Sequence, residues 1–109
     1  DFNWAEFFKG KYLVTYVSRL GYTEENEIWL CPDGTFRSNI RSKGALKVES
    51  SAYRGNNKGT WTAEGIGEKG SLTLTPQKKP AITFETEIDD DKIFLNKERI
   101  FTLEYNGCK

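Results

Sequence analysis

From Tyr12 to Tyr105 one pattern repeats: short runs of alternating apolar and polar residues, broken by clusters rich in Gly, Pro, Asn or Asp. A period of two places successive side chains on opposite faces of an extended strand, so each run has one apolar face to bury. "YLVTYVS" supplies a first strand, and "EIWL" and "TFRSNI" form a second and third around a Pro-Asp-Gly turn. "GTWTAE" and "GSLTLTP" follow, then "AITFETEID", in which Ile82, Phe84 and Ile88 alternate with Thr83, Glu85 and Glu87. "KIFLN" and "RIFTLEY" complete a set of about eight. An open sheet of such strands leaves unpaired edges, and closure into an up-and-down antiparallel barrel removes them. A five-stranded OB-like barrel is the alternative, and the extra strand candidates count against it.

Ahead of the strands, "DFNWAEFFKGKY" reads as a short helix over residues 3 to 9. Asn3 is a good N-cap, Glu6 completes a capping box, Phe2 and Phe7 are spaced as a hydrophobic staple, and Gly10 stops the helix. So short a helix is unstable alone, so Trp4, Phe7 and Phe8 must press on the end of the sheet or barrel. Residues 43 to 59 are the least hydrophobic part and fit a ragged edge strand and a long loop, with Val48 and Ala52 inward.

At 109 residues the chain, 1-109, is expected to form a single domain. No apolar run approaches the roughly 18 to 20 residues needed for a membrane-spanning helix. It starts with Asp1 and has no methionine, which fits a processed mature form, an excised domain, or a chain whose start has been removed. Without histidine, Ser-His-Asp and Cys-His catalysis cannot be built within the chain, and the commonest nitrogen ligand for metals is missing. Tyrosines are the only plausible interior acids, and an ordinary tyrosine titrates near 10. The chain therefore reads as a non-enzyme with no cofactor and no metal site.

Two motifs reduce to turns. "GIGEKG", residues 65 to 70, fits a dinucleotide-binding pattern, but that chemistry needs a following helix and "SLTLTP" is a strand. It reads as a hairpin loop. "IDDDKI" lacks the spacing of a calcium loop and reads as a solvated hairpin turn.

The leading helix, "GKY" entering the first strand and the central "GTW" resemble the calycin group of small barrels, the lipocalin-like and avidin-like proteins. "LCPDGTF", "GSLTL" and "IFLNKERIF" also look like small lipocalin-like domains of secreted bacterial proteins. This resemblance implies a secreted or periplasmic binding module holding a small apolar ligand, with Tyr12, Tyr16, Trp61, Phe84 and Phe101 around it. Leu30, Phe36, Ile40, Leu72, Leu74, Ile82 and Leu103 join Trp61, Phe84 and Phe101 in the expected interior stripe. Ser38, Ser42 and Ser50 are expected to point inward near the other end.

The alternative is recognition of a protein partner. Lys and Arg balance Asp and Glu at 16 each, so a charged partner must read a patch. Arg37, Arg41, Lys43, Lys47, Arg54 and Lys58 cluster against Glu49 alone, with Arg37 and Arg41 on the outer face of their strand. Trp29 stands cross-strand from Arg37, so Trp29, Arg37, Arg41 and Arg54 form the candidate partner surface. One aromatic beside the stripe argues against nucleic acid, which is held by stacking platforms. Some lipocalin-like barrels are protease inhibitors that use a chain terminus, and for that reading Asp1 to Trp4 would join Arg54.

Cys31 lies in "LCPDGTF", at the end of a strand and pointing outward. Cys108, in the tail, is its only intrachain partner. In a closed barrel strand one lies between strands two and eight, so the tail can cross to Cys31. Two free thiols or a bond to another chain are the alternatives.

Overall fold

The computed structural model describes residues 2–41 and 53–108, with backbone alone at 17–19 and 22. A short helix α1 (Trp4–Phe8) leads into eight strands: β1 (Lys11–Arg19), β2 (Tyr22–Leu30), β3 (Thr35–Ile40), β4 (Gly55–Glu64), β5 (Lys69–Pro76), β6 (Ile82–Asp89), β7 (Lys92–Leu95) and β8 (Glu98–Glu104). Each strand pairs antiparallel with the next, and β8 returns to β1 to close the barrel. This is the up-and-down barrel expected from the alternating runs, and it is consistent with a calycin-type fold. Residues 55–59, within the stretch read as a ragged edge strand and a long loop, form the first half of β4, paired with β3 from Ile40↔Gly55 to Phe36↔Gly59. Val48, Ala52, Ser42, Ser50, Lys43 and Lys47 lie outside the described residues.

One end of the barrel is closed by α1. The Asn3 side chain accepts the Glu6 N–H at 3.1 Å, capping the first turn, and the Phe2 and Phe7 rings meet at 5.0 Å as the staple requires. Trp4 and Phe8 are wholly buried, inserting into the core of Leu13, Ile28, Leu30, Phe36, Leu72, Phe84, Leu95 and Ile100. The 65–68 loop holds the helix: Trp4 N–H donates to Gly65 C=O at 3.2 Å, Gly67 N–H to Phe2 C=O at 2.7 Å, and Trp4 Nε1 to Gly67 C=O at 3.1 Å. "GIGEKG" is thus a hairpin loop whose work is to seat the plug. Of the Asp1 to Trp4 segment proposed for a partner, Trp4 is instead core and its backbone is tied to the loop, and Asp1 lies outside the described residues.

The "CPDG" turn lies at the same end. Gly34 N–H donates to Cys31 C=O at 3.0 Å, Gly34 takes φ +91°, and Leu30 and Phe36 face each other across the pair, both buried. Asp33 accepts from the Thr35 N–H and hydroxyl at 2.9 and 2.6 Å, and these bonds hold its carboxyl below the usual range. Trp61 braces the turn, its Nε1 donating to Cys31 C=O at 2.8 Å and its N–H to Gly34 C=O at 2.8 Å. Cys31 and Cys108 form a disulfide with Cα atoms 5.6 Å apart. Covered by this bond and the tail, Cys31 is 9% exposed rather than facing solvent. The "IDDDKI" turn also lies here, with Asp90 and Asp91 at φ +52° and +63°.

Two substitutions test this end. Gly70→Ala would put a methyl 2.4 Å from the ring of buried Trp4 and 2.4 Å from Glu64 C=O. It is expected to cost about 1–3 kcal/mol in urea unfolding, as an overpacked core does. Replacing both cysteines with serine opens a loop whose ends are 77 residues apart. It should lower unfolding free energy by about 4 kcal/mol on the chain-entropy account. An unchanged urea midpoint would contradict the latch.

Candidate functional site

Toward the end opposite α1, Ile28, Phe36, Ser38, Ile40, Leu74, Ile82 and Phe84 line a cavity of about 20 Å³ with Tyr53, Asn57 and Pro76. That is room for about one water molecule. Ser38 is buried there as the sequence pattern indicates, and Phe84 reaches it. Trp61 is interior but belongs to the turn at the other end. Nearby polar groups are spent on structure: Asn26 Nδ2 donates to Thr15 Oγ1 at 3.2 Å, and Asn26 Oδ1 accepts the Arg41 N–H at 2.9 Å. The buried Thr86 hydroxyl has no partner among the described residues.

Tyr12, Tyr16 and Phe101, expected inside, are outside. Leu13 pairs with Ile28 on β2 and with Thr102 on β8, so the inner face of β1 carries Leu13 and Thr15 and that of β8 carries Ile100 and Thr102. Parity then turns Tyr12, Val14 and Tyr16, with Phe101 and Leu103, outward. Tyr16, Phe101 and Leu103 are 53%, 43% and 59% exposed, and Val14, in register with Phe101, is buried beneath this outer layer. The Tyr16 and Phe101 rings are 5.7 Å apart, and the Arg99 guanidinium lies 4.6 Å from the Phe101 centroid.

The surface continues across the sheet. Leu103 pairs with Tyr12, Tyr12 with Trp29, Trp29 with Arg37 and Arg37 with Lys58, a row spanning β8, β1, β2, β3 and β4. Tyr12 stacks on Trp29 with centroids 5.4 Å apart, and the Arg37 guanidinium lies 5.2 Å from the Trp29 centroid. Arg37 also donates to the Tyr105 hydroxyl at 2.8 Å, joining the row to the disulfide-bound tail. The Trp29–Arg37 pairing is the one expected from the turn. Arg41 and Arg54 are also exposed, and Arg54 donates to Arg41 C=O at 3.3 Å. Sequence reasoning missed the outer positions of Tyr12, Tyr16, Phe101 and Leu103. The signal was present in β1 and β8, where both alternating sets are apolar and one must face out.

The Tyr12 hydroxyl donates to Glu27 at 2.5 Å. Partial burial, then the hydrogen bond to Glu27 and the charges of Glu27 and Glu25, raise its pKa well above the ordinary tyrosine value. The folded state therefore holds this proton more tightly than the unfolded chain. The resulting stability is present in full below about pH 10 and is lost as pH rises toward the folded-state pKa. Tyr12→Phe should lose less stability than wild type between about pH 9.5 and 11 in urea titrations, since only the wild type sheds that proton. Parallel losses in the two proteins would contradict the assignment.

Among the described residues no three His, Cys, Asp or Glu side chains are grouped to hold a metal, and no helix is long and apolar enough to cross a membrane. The chain matches no protein-family model, no curated protein and no solved structure.

Proposed function

We propose that this chain is a non-enzymatic recognition module, lipocalin-like in architecture, that binds a protein partner through the outside of its barrel rather than a small ligand within it. The observation that carries this reading is the exposure of Tyr16, Phe101 and Leu103 side by side on β1 and β8, continuous with Tyr12, Trp29 and Arg37. A contiguous apolar patch on an outer sheet face costs solubility without adding to the core, and such patches mark interaction surfaces. Aromatic and arginine side chains are the groups most enriched where binding energy concentrates. The cavity beside Phe36 and Phe84 supports the same choice, because about 20 Å³ does not hold a fatty chain or a sterol. The disulfide favours an oxidising compartment, secreted or periplasmic.

The test compares wild type with a Phe101→Ser/Leu103→Ser variant of unchanged melting temperature, each immobilised in native extract. A protein retained by the wild type and lost from the variant is the expected result. In parallel, lauric acid titrated against tryptophan fluorescence should give no saturable change. Saturable lauric acid binding, or equal retention by the variant, would return the function to the interior or to another face.

A further inference from the structure

The outer face of β3 and β4 carries an arrangement that folding alone disfavours. Arg37 lies directly across from Lys58 and Asn39 from Asn56, two successive outward rungs about 7 Å apart along the strands. Just beyond the last pair, Ile40↔Gly55, the exposed Arg54 donates through its guanidinium to the Arg41 C=O, and Arg41 follows Arg37 by four residues, about 13 Å in an extended chain. Like charges directly opposed across a strand pair destabilise a sheet. No acidic side chain occupies an outward position of β3, or of β4 from Asn56 to Thr62, and Glu27, across from Asn39 on β2, accepts the Tyr12 hydroxyl. Open grooves lie over both ends, about 360 Å³ beside Trp29, Arg37, Asn56 and Lys58, and about 480 Å³ beside Asn39, Arg41 and Arg54.

We infer that this cationic stretch of β3 and β4 binds an extended acidic segment of a partner protein, with carboxylates four residues apart seated on the Arg37/Lys58 pair and on Arg41 with Arg54 beside it. The proposal rests on the protein-recognition reading above and names the chemistry of the partner at this part of the face. In an extended chain, side chains four residues apart are about 13 Å apart and point the same way, which matches the spacing of Arg37 and Arg41. Between them the Asn39 and Asn56 amides offer donors and acceptors to the backbone of such a segment. Nucleic acid fits less well. Trp29, the aromatic beside the ladder, lies between Tyr12 and Arg37 and lacks an open face for a base. A second copy also fits less well, because the acidic strand β6 has lysines in register, Lys69 with Glu87 and Lys92 with Asp89.

The experiment is a fluorescence-anisotropy titration of the intact disulfide-bonded protein with labelled decaglutamate and, separately, labelled ten-residue oligo-dT. Decaglutamate should bind saturably at low salt and weaken about tenfold or more on moving to physiological ionic strength, as ion-pair contacts do. An Arg54→Gln/Lys58→Gln variant should bind about tenfold more weakly, the loss of two exposed charge contacts of about 0.7 kcal/mol each, while its melting temperature stays level or rises. The Phe101→Ser/Leu103→Ser variant should bind decaglutamate as wild type does, so loss of the apolar surface and loss of the ladder are read separately. No saturable decaglutamate binding, or unchanged affinity in the Arg54/Lys58 variant, would overturn the proposal. So would tighter binding of oligo-dT, or sedimentation showing a dimer that the same variant abolishes.

Discussion

The ladder between β1 and β8 is the constraint on which the rest depends. Only four residue pairs make it, from Lys11↔Glu104 to Val14↔Phe101, against nine between β1 and β2. It converts a meander with two open edges into a barrel, and its register decides which side chains face the core. A slip of one residue would exchange Leu13 and Thr15 for Tyr12, Val14 and Tyr16, and bury a face that now meets water. The register is held from the α1 end. The Lys11–Glu104 ion pair at 2.6 Å, the Tyr105 N–H donating to Gly10 C=O at 2.9 Å and the Cys31–Cys108 bond all lie there.

That concentration gives the molecule two unlike ends. At one, the helix plug, the Trp61 brace and the disulfide build a densely connected layer. At the other, the small cavity lies near the buried polar groups Asn26, Thr15 and Ser38. The outer face runs between these ends and is fastened to the first of them through Tyr105 and Arg37. Aromatic and guanidinium groups held by strands and a covalent tail lose little freedom when a partner arrives, so such a face is pre-organised for binding.

Much of the architecture was legible because its signals are local. "CPDG" fixes a turn, the turn fixes Leu30 against Phe36, and one residue along it fixes Trp29 against Arg37. Asn3, Glu6 and the Phe2–Phe7 spacing mark the helix in the same way. What could not be read is what depends on closure. In "YLVTY" and "RIFTL" both alternating sets carry apolar residues, so the pattern cannot say which faces in, and pairing of strands some ninety residues apart decides it. The first half of β4, "GNNKG", has no apolar signal and is a strand because β3 and the rest of β4 make it one.

The most direct test of an outward binding face is a solvent paramagnetic relaxation measurement on the side-chain resonances of the native protein with a neutral soluble agent. The register predicts strong broadening of Tyr16, Phe101 and Leu103 and little of Phe84, Leu13 and Ile100. Protection of Phe101 and Leu103 equal to that of Phe84, with broadening of Leu13, would contradict the β1–β8 register and the binding face built on it.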